Sequence, residues 1–552
     1  MAETDEEKAD ILNTFFSNIY VNEDVTHIPY CEDRTNGQIL SDLEISENEV
    51  FDKLMNLDIT KSMGPDNLHP RLLKEISKEI SCPLALLFNK SLSSGVLPED
   101  WKIANVTAIF KKGSKSDVGN YRPISLTCIL CKILESLLKE NIVNFLDVND
   151  MFNNSQHGFR KKRSCITQLL HVVEDFTKLI DDKKCIDVLY LDFKKAFDTV
   201  PHERLFKKIG SYGITGNIFN WIKSFLSGRM QRVVVNSCMS RFEHVLSGVP
   251  QGSVLGPLLF ILYINDLPDK INCSCKLFAD DTKIYASSEQ HQLLQEDITS
   301  LFEWSSKWQL AFNASKCKVL HIGKLNPHHN YFINGEDNDV IPLTNVDSER
   351  DLGVIFDSNL SFDLHINDCI GRANRMMGII FRSFVFMDSI MFLSLYKSLV
   401  RSILEYGNVI WSPLHKRQSI CIENVQRRAT RLLNHINDMS YDERLKYLNL
   451  PSLKYRRLRG DLIQMYKLVH KIDDFESLDF FTFSNITFTR GDKFKIYIER
   501  CQTTLRQHYF VHRIVKTWNH TSFETKNAET LNGFKIALDR AFINLRFDFD
   551  GS

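Results

Sequence analysis

Cys275-Lys276-Leu277-Phe278-Ala279-Asp280-Asp281-Thr282-Lys283-Ile284-Tyr285 is the stretch on which the reading of this chain turns. Both arms are apolar and β-prone, so it predicts a short β-hairpin whose turn carries two adjacent carboxylates to the surface. An unpaired carboxylate pair repels itself, and a divalent cation relieves the repulsion. A further carboxylate closes the upstream run Cys185-Ile186-Asp187-Val188-Leu189-Tyr190-Leu191-Asp192. Magnesium prefers oxygen and typically binds through one or two carboxylates plus substrate phosphates. Three aspartates at the ends of neighbouring strands suit two Mg2+ or Mn2+ ions roughly 4 Å apart, the arrangement that serves nucleotidyl transfer.

These carboxylates sit in longer motifs. Tyr190-Leu191-Asp192-Phe193-Lys194-Lys195-Ala196-Phe197-Asp198, Ser247-Gly248-Val249-Pro250-Gln251-Gly252-Ser253 and Phe278-Ala279-Asp280-Asp281 resemble, in order and spacing, the palm motifs of reverse transcriptases. Asn120-Tyr121-Arg122-Pro123-Ile124-Ser125-Leu126 and Gln156-His157-Gly158-Phe159-Arg160 are similar to the fingers motifs of non-LTR (LINE-type) retrotransposon enzymes of the jockey-like clade. Residues 349–355 resemble the primer grip of that family, and residues 399–407 and 509–519 its C-terminal segments. The likeness covers nearly the whole chain and is strongest over residues 106–355.

The resemblance implies an RNA-directed DNA polymerase with right-hand architecture in the α+β class: fingers, an antiparallel palm sheet flanked by helices, a helical thumb and a mainly helical C-terminal region. Asp192 and Asp280 would be the main metal ligands, with Asp281 assisting, and Lys316 would protonate departing pyrophosphate. Phe197 would be the steric gate that excludes a ribose 2′-hydroxyl, next to Phe193 and Ala196 of the same motif. Arg122, with a lysine of the 111–115 loop, of which Lys115 has the preferred spacing, would clamp the triphosphate of a deoxynucleotide. Gln251 and Gly252 would line the nascent base pair, Arg160 would touch template phosphates, and Leu352 and Gly353 would hold the primer. Asp198, just before Pro201, reads as a loop or capping residue and is left out of the site. Expected partners are an RNA template, a DNA primer or nicked target DNA, and no membrane.

An autonomous element of this family carries an endonuclease ahead of the polymerase. This chain begins in what resembles the connector after it, so an endonuclease acting in trans is expected. A truncated, noncatalytic nucleic-acid-binding remnant is the alternative reading. An RNA-copying RNA polymerase shares the two-metal chemistry, but Phe197 speaks against it.

Composition agrees. With 552 residues, 43% of them hydrophobic and 25% charged, the chain can bury several cores. The net charge of −1 conceals an acidic start and a basic stretch over residues 372–516, which includes Arg427, Arg428, Arg431, Arg456, Arg457 and Arg459 and would suit a polyanion. Thirteen Cys without a regular framework fit reduced thiols inside a cell, and the nucleus is expected from the family. Residues 254–264 are too short an apolar run to span a bilayer.

Four regions are expected: an N-terminal helical connector and extension (1–100), fingers and palm (101–355), a helical thumb-like region (356–470) and a C-terminal region (471–552). Helices are predicted over 8–20, 45–55, 70–80, 83–92, 201–210 and 253–265, with a strand over 106–110.

Overall fold

The run that ends at Asp192 forms the strand Ile186–Leu191, and it is apolar on both sides because both sides are covered. Leu189 and Leu191 face one core, with Leu277, Ile284 and Val319, whereas Ile186 and Val188 face a second, with Tyr285, Leu320 and Ile322. The one intruder, Asp187, is fully buried and has its carboxylate hydrogen-bonded to His321 (2.7 Å), Tyr331 (2.6 Å) and Asn326 (2.8 Å). Every acceptor there has a partner, which is what makes such burial tolerable.

The computed structural model describes residues 3–334, 340–384, 386–474, 480–484 and 492–549. Ile186–Leu191 is the centre of a five-stranded sheet in the spatial order Thr344–Val346, Lys318–Ile322, Ile186–Leu191, Asp281–Ser287, Ser274–Phe278. All pairings are antiparallel except that of Thr344–Val346 with Lys318–Ile322. The predicted hairpin is Ser274–Phe278 and Asp281–Ser287, with Phe278 opposite Asp281 and only Ala279-Asp280 between. Its tightness forces Ala279 to φ +55°, unusual for a residue with a Cβ.

Helices Ile129–Val148, His202–Ser211, Gly216–Leu226, Gly256–Tyr263 and His291–Trp308 fill the first core. Cys165–Asp181, Asp363–Ser383, Lys416–Arg431 and Leu453–Val469 fill the second. Phe510–His520 and Leu531–Ala541 add Phe510, Ile514, Trp518 and Phe534 to that same core, so residues 356–470 and the chain's last segment share one interior. A separate sheet joins Ile103–Phe110 to Tyr121–Leu126 (antiparallel) and to Met230–Val235 (parallel). Helix Asp5–Ser17 lies on it and buries Ala9, Leu12 and Phe16 against Val106 and Val233. Among the described residues no helix is long and apolar enough to cross a membrane.

Several boundaries differ from expectation: the helix predicted over 8–20 is Asp5–Ser17, and the strand predicted over 106–110 begins at Ile103. The helices predicted over 70–80 and 83–92 are Pro70–Glu75 and Ser77–Ser94, the second running through Pro83. Proline forfeits one helical hydrogen bond, but Leu84, Ala85, Phe88 and Leu92 on the same helix are buried, and that contact wins. The helix predicted over 253–265 is Gly256–Tyr263, because Pro257 suits a first turn and Ser253 Oγ accepts from the Gly256 N–H (2.9 Å) just ahead of it.

The hairpin is tied to the neighbouring strand Ser348–Asp351 by an ion pair between Lys283 and Asp351, 2% and 5% exposed. Removing one partner of a buried pair costs about 3–5 kcal/mol, since the other charge is stranded. Lys283→Met is therefore expected to lower the unfolding free energy by that amount, read as a lower denaturant midpoint at unchanged slope. An unmoved midpoint would mean that the pair contributes nothing.

Candidate active site

Leu191 stands opposite Thr282, so one step further brings Asp192 level with Asp281, and the hairpin turn adds Asp280 beside them. All three line a cleft of about 560 Å3. Burial, and then the charge of Asp192, hold the Asp280 carboxyl above its usual range. Depth in the fold pushes Asp281 up to about 6, followed by the charges of Asp280, Asp351 and Asp192, although its side chain keeps an exposed edge. Mutually repelling carboxylates in a cleft are a functional signature, because folding alone gains nothing from them. Lys316 Nζ lies 3.1 Å from Asp192 and partly offsets the repulsion.

The turn is held from below by the 156–160 segment. Gln156 Oε1 accepts from the N–H groups of Ala279 (3.0 Å) and Gly158 (2.7 Å), while Ser155 O accepts from Leu277 N (2.9 Å) and Leu277 O from His157 N (2.8 Å). Glycine is required at 158, since a Cβ there would stand 2.4 Å from the Ala279 nitrogen.

Facing the carboxylates are Lys111, Arg122, Lys195 and Lys316. Burial first, then Arg122, Lys195 and Lys316, make the Lys111 ammonium easier to deprotonate than a free lysine. Phe197 closes the floor, stacked on Phe260 (4.5 Å, 18°) and meeting Phe159 edge-on (6.4 Å). Phe193 and Ala196 border the cleft but are themselves buried, and the Phe193 ring stacks on Phe312 at 4.2 Å. The Gln251 carbonyl accepts from Ser125 N (2.7 Å), and Gly252, at φ +122°, lies so close that a Cβ would come within 2.4 Å of the Ser125 oxygen. The Pro250-Gln251-Gly252 loop is thereby stitched to the strand that bears Arg122.

Other residues singled out in the sequence lie elsewhere. Lys115 sits over the Phe110 ring (5.9 Å) and does not line the cleft; Lys111 of the same loop does. Arg160 stacks on Phe152 (4.8 Å) and reaches Asp147 (3.5 Å), away from the carboxylates. Leu352 and Gly353 form the turn between Ser348–Asp351 and Val354–Asp357. Leu352 lines an adjoining cleft, also of about 560 Å3, which shares Lys111, Asp192, Lys195, Asp281 and Lys316 with the first. Among the C-terminal arginines, Arg456 pairs with Glu405 (2.7 Å), Arg459 with Asp539 (2.6 Å), and Arg457 is buried, whereas Arg428 and Arg431 face solvent. Sequence reasoning preferred Lys115 to Lys111 within one loop, left Asp198 out, and did not single out Lys195 or Gln156. Lys111, Asp198, Lys195 and Gln156 lie in quoted stretches, but none is marked there by residue type.

Among the described residues no group of three or more His, Cys, Asp or Glu stands close enough to hold a metal ion unaided. The donor chemistry nonetheless fits a hard divalent cation: carboxylate oxygens alone, mutually repelling, beside a cationic wall suited to phosphates. Magnesium completes its shell from substrate phosphates and water, so a site of one or two carboxylates is its ordinary form.

Known proteins are similar to this chain over the residues that line the cleft. The family model described as reverse transcriptase (RNA-dependent DNA polymerase) matches residues 109–356. The chain is 28% identical over 423 residues to the probable RNA-directed DNA polymerase from transposon X-element of Drosophila melanogaster, covering 73% of this chain and 46% of that protein. It is 32% identical over 337 residues to the RNA-directed DNA polymerase from mobile element jockey of Drosophila funebris, covering 58% and 36%. A third relative, the probable RNA-directed DNA polymerase from transposon BS of Drosophila melanogaster, is 28% identical over 408 residues, covering 70% and 44%. The chain thus spans between about a third and a half of the length of these curated relatives. Residues 109–356, which hold every wall of the cleft, belong to the reverse transcriptase family, in its jockey-like non-LTR retrotransposon branch.

Proposed function

We propose that this chain is an RNA-directed DNA polymerase that extends the 3′-hydroxyl of a DNA primer, or of nicked target DNA, along an RNA template with deoxynucleoside triphosphates, in the service of retrotransposition. The observation that carries the reading is the convergence of four segments distant in sequence, bearing Arg122, Asp192 with Phe197, Gln251 and Asp280-Asp281, on one cleft. In the proposed right-hand architecture residues 101–355 are fingers and palm, 356–470 a thumb-like region, 1–100 an N-terminal connector and 471–552 a C-terminal region.

Asp192 and Asp280, assisted by Asp281, would hold Mg2+, which when bound neutralises phosphate charge and lowers the pKa of the attacking hydroxyl. The Arg122 guanidinium matches phosphate oxygens in bidentate fashion, and Lys111, rather than Lys115, is its partner in gripping the triphosphate. Lys316, next to Asp192, gives a proton to the departing pyrophosphate, help typically worth about 10²–10⁴-fold. Gln251 and Gly252 flank the nascent pair, and the turn at Leu352 and Gly353 carries the primer end toward Asp192 from the adjoining cleft.

Two measurements test this. Deoxynucleotide incorporation on an RNA template with a DNA primer is expected with magnesium and not with chelator; a folded protein that binds the duplex yet never extends it would instead be a noncatalytic remnant. Phe197→Ala removes the ring from the floor and is expected to raise ribonucleotide use relative to deoxynucleotide by about ten- to a hundredfold, the scale of a clash or lost hydrogen bond at a packed site. Unchanged sugar selectivity would dismiss the gate.

A further inference from the structure

We infer that Asp198 is a positioning residue, whose carboxylate holds the amide of Gln251 in one orientation toward the incoming nucleotide. This rests on the polymerase reading of the cleft. Gln251 Nε2 donates to Asp198 Oδ1 at 2.9 Å, and both residues line the cleft. An ionised carboxylate only accepts hydrogen bonds, so it dictates which end of the amide it meets. The NH2 is committed to Asp198, and Oε1 together with the remaining N–H is left for a ligand.

The main chain on both sides leaves that bond little freedom. Gln251 O is held by Ser125 N (2.7 Å), Asp198 N donates to Lys195 O (2.8 Å), and Val249 N donates to Phe197 O (2.7 Å). Ser247 Oγ donates to Asp198 O (2.9 Å) and accepts from Val21 N (2.9 Å). The segment after the first helix is therefore a brace: Tyr20 OH donates to Gln231 (2.7 Å), and Glu23 pairs with Arg204 (3.0 Å). What remains adjustable is the Gln251 side chain, and Asp198 is the group that sets it. Burial pushes the Asp198 carboxyl up to about 6, and the hydrogen bond from Gln251 and the cations Lys195, Lys111 and Arg122 pull the other way, so it is ionised at neutral pH.

The test is a double-mutant cycle on the full chain, read as KM for deoxynucleotide, kcat and primer–template affinity. Asp198→Leu is expected to raise KM about tenfold, with a smaller loss in kcat and unchanged primer–template affinity. Asp198→Asn, whose carbonyl accepts the same bond, should recover most of that loss. In a Gln251→Ala background Asp198→Leu should add almost nothing, because the group it positions is gone. Additive losses, an Asn variant no better than Leu, or a fall in kcat alone would overturn the inference. If Asp198→Leu does not fold, Asp198→Ser, whose hydroxyl is too short to reach Gln251, takes its place in the same cycle. Absence of extension by the unaltered protein would instead overturn the polymerase reading, and the inference with it.

Discussion

Asp280→Asn is expected to reduce deoxynucleotide incorporation by about 10³-fold or more while leaving primer–template binding intact. Losing a single preorganised electrostatic group from an active site already costs about 10²–10³-fold, and in the proposed mechanism the lost group would also help to hold the cation. The same substitution should leave thermal stability unchanged or slightly raised. Asp280 sits half-buried at a turn whose first residue is at φ +55°, beside Asp192 and Asp281, with burial and like charge both disfavouring its ionised form. Relieving such strain at a functional site commonly trades activity for stability. Incorporation at the original rate would remove Asp280 from the site, and a large fall in melting temperature would assign it to the fold instead.

The second large effect is expected from a residue that touches no substrate. Gly158→Ala puts a methyl group 2.4 Å from the Ala279 nitrogen and 3.1 Å from Gln156 Oε1, the two ends of a hydrogen bond that holds the turn. The nearest neighbours, Ala279 N and Phe278 C, are backbone, so the hairpin must move. Overpacking of this kind costs about 1–3 kcal/mol, and a displacement of roughly 1 Å at a reacting centre can cost about 10²-fold in rate. The expected result is a folded, less stable protein whose kcat falls about a hundredfold. Faster hydrogen exchange at the Ala279 and Asp280 amides would locate the damage, and unaltered exchange with unaltered kcat would show that this segment does not set the turn.

Much of the candidate site's geometry was legible in the sequence because its parts are local. A two-residue turn between β-prone arms is dictated over eleven residues, and the aspartates in it need no distant partner to be placed at the surface. The ordered motifs containing Asp192, Gln251 and Asp280 supplied the rest. Helix boundaries at Pro83 and Ser253 were misread, the first because burial of the helix face overrode local punctuation, the second because Pro257 and the Ser253 hydroxyl set a later start.

What stayed hidden are choices between like residues. The motif chose Asp192 over Asp187 in one run, but the physical reason lies in the fold, where the first opens to the cleft and the second is enclosed by His321, Asn326 and Tyr331. Lys111 and Lys115 share one loop, and the cleft receives the first. Asp198 reads as a loop residue until the Pro250-Gln251-Gly252 turn folds against it. The sequence by itself determined the candidate chemistry, since residue type and short spacing decide which atoms could bind a cation, grip a phosphate or exclude a hydroxyl. Only the tertiary structure decided which of several equivalent ammonium groups line the cleft and which carboxylate meets Gln251, because burial and partnership arise from segments that meet only when the chain has folded.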